Sequence, residues 1–223
     1  MTMIIENPLE EPMISKLSFC DPMSLEQYRQ EMLDGILDFE VDYGNWSYTY
    51  HMRMVGYPIT IFNKPDYLNQ IRFVIDELRR NPYSRRAVID IRNNDEDAYS
   101  NDPACLQHIQ FFIRDNKLHM KVLFRSNDAC KATFMNAFAL IMLQQRVANE
   151  LGVEVGSYTH RANGFHCYEK DFKMLDGYVE RIKTDPDSLC YSYQDDWKEL
   201  MEEAQPAINE KVDSLMAKDL PLY

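Results

Sequence analysis

The stretch from Phe134 to Leu151 constrains the fold of this chain more than any other segment. Its residues are almost all apolar as far as Gln144, with no polar stripe at helical spacing. A helix that is apolar all round must have neighbours on every side, because a surface helix keeps one polar face in water. We therefore predict a buried central helix that ends at Gly152, a residue suited to the left-handed conformation that closes helices.

The segments around this helix carry both strand and helix patterns. They predict strands at Ala87–Ile91 and Glu154–His160, an extended segment at Tyr48–Val55, a hairpin of Ile109–Ile113 and Leu118–Phe124 that turns at Asp115-Asn116, and helices at Ser24–Leu33, Tyr67–Arg80 and Asp195–Lys218. Ser24 and Gln27 form a capping-box pattern at the first helix, and Gly35 closes it.

The domain organisation follows from these elements. The polar loop 92–103 is too hydrophilic to be predicted as core, and the chain has neither repeats nor a linker. A chain of 223 residues is long enough for one sizeable core. We predict one α+β domain over residues 1–223, with a mixed β-sheet packed on the long buried helix.

Composition narrows the class of function. The five cysteines are scattered without CxxC spacing, which argues against a disulfide framework and against a metal site. A net charge of −12 argues against nucleic acid as a partner. The chain has no apolar run long enough for a membrane span and no secretory pattern at its start, so we expect a cytoplasmic protein. An anionic small-molecule substrate is still compatible with this net charge, because a local arginine cluster dominates the electrostatic field inside a pocket.

Cys105 is the cysteine with the most informative surroundings. It follows a polar loop and leads directly into a predicted strand, a place where a thiol is accessible. The predicted hairpin brings Arg125 back beside it. An arginine next to a thiol favours the thiolate, which is the reactive form. Cys105 is therefore a candidate nucleophile, and Arg125 a candidate for its activation and for anion binding.

A series of motifs around Cys105 resembles the thymidylate synthase superfamily, in particular its short, archaeal-type members. The motifs are Tyr48-Thr49-Tyr50-His51-x-Arg53, Pro82-x-Ser84-Arg85-Arg86, Cys105-x4-Gln110-Phe111, Lys117-Leu118, Arg125-Ser126-x-Asp128, Asn136 and His166-x-Tyr168. The intervals from Cys105 to Arg125, on to Asn136 and on to His166 are 20, 11 and 30 residues, which are similar to those of the family.

The resemblance implies a covalent mechanism on dUMP. Cys105 would attack C6 of the pyrimidine and Tyr50 would assist proton removal from C5. Phosphate binding would fall to Arg125 and Ser126, joined by Arg85 and Arg86 from the partner subunit of a homodimer that pairs through its sheet face. The guanidinium fork of arginine matches the oxygens of a phosphate.

Further roles are implied for the base, the sugar and the one-carbon donor. Asn136 would read uracil through its amide acceptor and donors, and His166 and Tyr168 would bind the sugar 3′-hydroxyl. Asp128 would contact the pterin of 5,10-methylenetetrahydrofolate, the expected co-substrate. Glu26 and Glu31 are candidates for the glutamate of the folate site.

The sequence also departs from the family pattern. Ala104 stands before the cysteine where most members have proline, and Ile91-Arg92-Asn93 replaces the usual Trp-Asn. The residues from Cys130 to Met135 replace a glycine-rich stretch, and the family's first helix and an arginine-bearing loop have no counterpart in residues 1–223. These differences leave the nucleotide side nearly intact and affect the folate side.

Four functions are compatible with these residues. The first is thymidylate synthase, the reductive methylation of dUMP to dTMP. The second is a hydroxymethylase for deoxyuridylate or deoxycytidylate, in which water captures the methylene carbon on the same adduct. The third is a nucleotide-binding protein without turnover, for which a thiol is unnecessary. The fourth, a cysteine hydrolase, needs a base beside the thiol, and His108 is expected on the opposite face of the strand.

Overall fold

The computed structural model of the protein describes residues 1–218. Its helices are α1 Pro22–Asp34, α2 Phe39–Asp42, α3 Tyr50–Val55, α4 Gln70–Arg80, α5 Asn94–Asp97, α6 Ala132–Leu151, α7 Phe172–Thr184, α8 Lys198–Glu203 and α9 Gln205–Lys218. Its strands are β1 Thr2–Ile5, β2 Ile14–Ser15, β3 Tyr57–Ile61, β4 Lys64–Leu68, β5 Val88–Asp90, β6 Leu106–Arg114, β7 Lys117–Asp128, β8 Glu154–His166 and β9 Cys190–Tyr191.

A mixed five-stranded sheet forms the centre of the fold, in the order β1-β8-β7-β6-β5. Strands β6 and β7 are an antiparallel hairpin, whereas β7 and β8 run parallel. A parallel pair cannot be joined by a tight turn, and α6 supplies the crossover between them. The predicted α+β class and mixed sheet are confirmed.

Helix α6 is the buried central helix that the apolar stretch predicts. Every residue from 136 to 144 is buried, so the helix is covered on all sides along this part. It packs on β7 and β8 on one side and on α1 and α4 on others. Gly152 ends it with a φ of +71°, a left-handed conformation that costs glycine little.

The β6–β7 hairpin is also confirmed. Asp115 and Asn116 occupy its turn with φ values of +51° and +58°, which these two residue types tolerate better than most. Strand β8 runs six residues beyond the predicted end at His160, to His166. Its final residues pair with the end of β7, with Asp128 opposite His166. This extension brings the ends of both strands to the same edge of the sheet.

Three predicted elements near the N-terminus are wrong in type or boundary. Tyr50–Val55 is a helix and not an extended segment, because the Thr49 hydroxyl caps it by accepting from the Met52 amide at 3.0 Å. Helix α1 is capped by Asp21 and begins at Pro22, with Ser24 as the third residue of the capping box. Helix α4 begins only at Gln70, because residues 67 and 68 pair with β3.

The polar loop 92–103 is less peripheral than its composition indicates. It contains the short helix α5, and both Asn93 and Asp97 are buried. Asp97 is paired with the buried Arg53, which places these charges inside the fold at a separation of 3.2 Å. The loop is therefore anchored just ahead of Cys105. Within residues 1–218, no helix combines the length and the apolar character needed to cross a membrane.

Candidate active site

A cavity of about 530 Å³ lies where the ends of β7 and β8 meet the start of α6. Its lining residues are Tyr28, Tyr50, Asp102, Cys105, Arg125, Ser126, Asn127, Asp128, Lys131, Ala132, Met135, Asn136, His166 and Tyr168. The cavity thus brings together all the predicted site residues except Arg85, Arg86 and the two candidate glutamates of the folate site. We call it the Cys105 cavity.

Cys105 and Arg125 are adjacent across the hairpin, as predicted. The Arg125 amide donates a hydrogen bond to the Cys105 carbonyl at 2.8 Å. The Arg125 guanidinium donates to the carbonyl oxygens of Ala104 at 3.0 Å and Pro103 at 2.6 Å. The arginine therefore holds the backbone that presents the thiol, in addition to placing a positive charge beside it.

The electrostatic balance at the thiol differs from the expected activation. Burial raises the pKa of Cys105 above the ordinary thiol value, Arg125 lowers it and Asp102 raises it again. The net direction is upward, because removing a thiolate from water outweighs the attraction of one arginine. The Cys105 thiol of the free protein is therefore mostly protonated at neutral pH.

Asn136 lies in the first turns of α6, buried, with its amide at the wall of the cavity. The hydroxyl of Tyr28, on α1, donates a hydrogen bond to Asn136 Oδ1. Burial is the largest cause that raises the pKa of Tyr28, so its hydroxyl remains protonated and able to donate. Tyr28 was not among the predicted site residues.

The end of β7 and the end of β8 form the polar side of the cavity. Ser126 Oγ lies 3.3 Å from His166 Nδ1, and the His166 ring meets the Tyr168 ring edge-on at 5.0 Å between centroids. The Asp128 carboxylate accepts from the Cys130 amide at 2.9 Å, which fixes the turn between β7 and α6. Lys131, also at the wall, pairs with Asp171 at 2.6 Å.

Arg85 and Arg86 lie outside the Cys105 cavity. Arg86 pairs with Glu77 at 2.9 Å, and the same carboxylate accepts from Ser84 at 2.6 Å. These contacts, the Ser84 hydroxyl first, lower the pKa of Glu77 to about 2. Arg85 is exposed, and within residues 1–218 its guanidinium has no hydrogen-bond or ion-pair partner. The two arginines are thus presented to solvent on a braced turn.

A second cavity of about 460 Å³ adjoins the first and shares Tyr28, Tyr50 and Asp102 with it. Its wall contains the aromatic rings of Tyr28, Trp46, Tyr48 and Tyr50, and Glu31 lies on the same wall. Burial raises the pKa of Glu31. We call it the aromatic cavity.

The other candidate glutamate, Glu26, does not line either cavity. It pairs with Arg29 at 2.5 Å on a different face of α1. Of the two candidate glutamates, only Glu31 lines the aromatic cavity.

Tyr50 lies at the junction of the two cavities. Its hydroxyl accepts from the Leu106 amide at 3.3 Å, next to the nucleophile candidate. Burial raises the pKa of Tyr50 well above its usual value. The Tyr48 hydroxyl bonds to the Cys105 backbone and to Tyr50, and burial raises its pKa to about 12. Both phenols therefore act as neutral hydrogen-bonding groups.

Some of these neighbours had a signal in the sequence that could have revealed them. Tyr28 and Glu31 are three residues apart and so share a face of α1. The aromatic run from Trp46 to Tyr50 leads into α3, of which Tyr50 is the first residue. The contact between Tyr28 and Asn136, by contrast, joins residues 108 positions apart, and no local pattern indicates it.

His108 is remote from this chemistry. It pairs with Asp90 at 2.8 Å and lines a different cavity, with Gln110 and Lys121. Among residues 1–218, the Cys105 cavity has His166 as its histidine, and no group of three or more His, Cys, Asp or Glu side chains is arranged to hold a metal ion.

Comparisons with known proteins agree with this architecture. A family model described as thymidylate synthase matches residues 24–205. A protein of Methanocaldococcus jannaschii, provisionally named a thymidylate synthase, is 37% identical over 163 residues, which cover 70% of this chain and 68% of that protein. A similarly named protein of Methanosarcina mazei is 32% identical over 184 residues, 82% of this chain and 78% of its own.

A solved structure supports the same fold. The thermostable thymidylate synthase A from Bacillus subtilis matches with a TM-score of 0.65 and 20% identity, over 81% of this chain and 69% of that one. The sheet order and the central helix thus define a thymidylate synthase-like α+β protein. With the match over residues 24–205, the chain belongs to the thymidylate synthase family.

Proposed function

We propose that the protein is a thymidylate synthase that methylates C5 of dUMP and uses 5,10-methylenetetrahydrofolate as co-substrate. The observation that carries this proposal is the Cys105 cavity, where a thiol and the Asn136 amide share one wall with Arg125, Ser126 and His166. Covalent chemistry on a pyrimidine nucleotide requires three features, which are a nucleophile, a group that recognises the base and a side that binds an anion.

Cys105 would begin the reaction. Its thiolate adds to C6, the C5–C6 electron pair moves toward C5 and O4, and C5 becomes a nucleophile. The Asn136 amide is suited to stabilise the charge that develops on O4, because an amide nitrogen is a donor. C5 would then bond to the one-carbon unit and lose its proton as that carbon separates from the folate nitrogen, and a hydride added to the same carbon would expel the Cys105 thiolate. Tyr50, which stays protonated, would act through a hydrogen bond on the group that takes this proton.

The phosphate and sugar would lie along the edge formed by the strand ends. Arg125 and Ser126 would supply donors for the phosphate, and His166 and Tyr168, which line the same cavity, would bind the sugar 3′-hydroxyl. The Arg125 guanidinium already donates to two backbone carbonyls, so further positive charge is needed for a dianion.

We assign that further charge to Arg85 and Arg86 of a second copy of the chain. Both lie outside the Cys105 cavity, Arg85 is exposed, and Arg86 is braced by Glu77. The partly exposed side chains of Gln110, Thr159 and other strand residues give the sheet an open face through which two copies would pair. A homodimer of this kind would complete each site.

The aromatic cavity suits the reduced folate. Its wall offers flat rings for stacking on a pterin, from Trp46, Tyr48 and Tyr50, and a carboxyl group on Glu31, whose pKa is raised by burial. Asp128, at the edge of the first cavity, is placed to contact the same co-substrate. When bound, the reduced folate supplies the one-carbon unit and the hydride.

Identification of the product tests this proposal. The protein is incubated with dUMP and methylenetetrahydrofolate, and the mass of the nucleotide product is measured by mass spectrometry. A gain of CH₂ together with dihydrofolate formation supports the synthase, whereas a gain of CH₂O identifies the hydroxymethylase. Cys105→Ser should abolish product and keep dUMP binding, and Cys190→Ser, a change at an exposed cysteine, is the matched control. The proposal fails if dUMP is returned unchanged by the folded wild-type protein.

A further inference from the structure

Tyr28 is the side chain of α1 that hydrogen-bonds to Asn136, the proposed reader of the base. Its hydroxyl donates to Asn136 Oδ1, and the residue also lines both the Cys105 cavity and the aromatic cavity. Among residues 1–218, the Tyr28 hydroxyl has Asn136 as its hydrogen-bond partner and the Asn136 amide nitrogen has none. The nitrogen is therefore the amide atom left available at the cavity wall.

The orientation of that amide decides which pyrimidine it pairs with. Uracil presents an N3–H donor and an O4 acceptor, which require Oδ1 opposite N3 and Nδ2 opposite O4. Cytosine presents an N3 acceptor and a 4-amino donor, which require the amide rotated by half a turn. A neutral asparagine that is free to rotate can read either base, because it carries both donors and acceptors.

We propose that Tyr28 is a positioning residue that holds the Asn136 amide in the orientation that accepts uracil and rejects cytosine. This inference rests on the proposed function and deepens it, by assigning the base selectivity to a pair of residues. In the observed orientation Oδ1 accepts from Tyr28 with one lone pair and keeps the other for N3–H. In the rotated orientation Nδ2 would face Tyr28, and the Tyr28 hydrogen would need a new acceptor in a partly buried site.

The surroundings keep Tyr28 a donor. Burial is the largest cause that raises its pKa, followed by the charge of Glu31. A phenol that cannot lose its proton must place that proton on an acceptor when it is desolvated, because a buried donor without an acceptor is costly. The Asn136 oxygen is the acceptor that the fold provides, so rotation of the amide is disfavoured.

The test compares dUMP with dCMP in binding and in turnover. Isothermal titration and kcat/KM are measured for the wild type and for Tyr28→Phe, which removes only the hydroxyl. We expect the preference for dUMP over dCMP to fall about ten-fold, the ratio that the loss of one hydrogen bond produces. Tyr48→Phe, a matched loss of a hydroxyl near Cys105 without contact to Asn136, should affect both nucleotides alike.

Two further variants separate this role from a structural one. In an Asn136→Asp background the removal of the Tyr28 hydroxyl should leave the dUMP to dCMP ratio unchanged within about two-fold, since the two residues act as one unit. Tyr28→Met, which also lacks the donor, gives a second reading should Tyr28→Phe not fold.

The outcomes distinguish this inference from the function on which it rests. A wild type that favours dUMP, with Tyr28→Phe keeping the same ratio, overturns the role of Tyr28 and leaves the proposed function standing. A wild type that binds neither nucleotide overturns both.

Discussion

The Arg125 guanidinium is bound to the two backbone carbonyls that immediately precede Cys105, those of Pro103 at 2.6 Å and Ala104 at 3.0 Å. The same residue's amide donates to the Cys105 carbonyl at 2.8 Å. One residue therefore anchors the backbone on which the thiol sits and supplies the positive charge that lowers the pKa of that thiol. Arg125 therefore determines both the position of the Cys105 backbone and the positive charge beside its thiol.

Arg125→Lys separates the two properties. Lysine keeps the charge and loses the planar fork that binds two carbonyls at once, so the loop before Cys105 loses its anchor. We expect kcat/KM for dUMP to fall by about a hundred-fold, the effect of losing one or two charge-assisted hydrogen bonds. Arg114→Lys, at the other end of β6, should stay near wild type in the same steady-state assay. Activity within two-fold of wild type for Arg125→Lys would argue against the anchoring role.

The reactivity of Cys105 toward iodoacetamide should rise with pH. Burial and Asp102 raise the pKa of its thiol above 9.0 despite Arg125, so the thiolate is a minor species at neutral pH and its fraction increases through pH 9 and beyond. Peptide mapping by mass spectrometry follows the rate at each pH. Saturating dUMP should protect Cys105 and leave the exposed Cys190 unaffected. A rate that is flat with pH, or no protection, contradicts the account.

The arginines across the proposed dimer can be tested by subunit mixing. Arg85→Ala/Arg86→Ala and Cys105→Ser should each be inactive alone. In a mixed dimer one site regains both an intact thiol and intact arginines, so random exchange should restore about one quarter of wild-type activity.

Arg125→Ala mixed with Cys105→Ser is the control for this experiment, and it should restore nothing, because both residues line the same cavity. Restored activity in the control, or no restored activity in the test pair, would contradict a site that is shared between subunits.

The buried His160 should make the fold sensitive to acid. Its ring stacks on Phe124 at 4.7 Å and bonds to Tyr158 and Asn127, and burial lowers its pKa to about 4. The unfolded chain binds a proton near pH 6.5, so the stabilisation is complete above that pH and is lost as the pH falls toward 4, by at most roughly 3 kcal/mol.

Urea unfolding at several pH values measures this effect. His160→Gln should show a shallower loss of unfolding free energy between pH 6.5 and 4, whereas His108→Gln, at a partly exposed histidine, should follow the wild type. Equal slopes for wild type and His160→Gln would show that this histidine is not the acid-sensitive group.

Local patterns predicted the parts of the fold that local chemistry determines. The all-apolar stretch gave the central helix, and Asp115-Asn116 gave the hairpin turn. The segment Tyr48–Val55 is predicted as extended because its tyrosines and threonine favour that structure, whereas the Thr49 cap and the burial of Arg53 and Met54 favour the observed helix.

The candidate site likewise has one part that local sequence patterns predict and one part that depends on tertiary packing. Cys105 and Arg125 are joined by a hairpin and were predictable as neighbours, whereas the partner of Asn136 comes from a helix 108 residues earlier. That contact depends on how α1 packs on α6, which is a property of tertiary packing. The aromatic cavity shares this origin in part, since Tyr28 and Glu31 of α1 meet the run from Trp46 to Tyr50 at its wall.

The covalent step at Cys105 is the central claim, and an adduct measures it most directly. With 5-fluoro-dUMP and methylenetetrahydrofolate the C5 position cannot lose a proton, so the nucleotide should stay bonded to the enzyme. Mass spectrometry of the digested protein should find the added mass on the peptide that contains Cys105, and Cys105→Ser should carry none. An unmodified Cys105 peptide in folded, nucleotide-binding protein, or an adduct on another cysteine, would contradict the account.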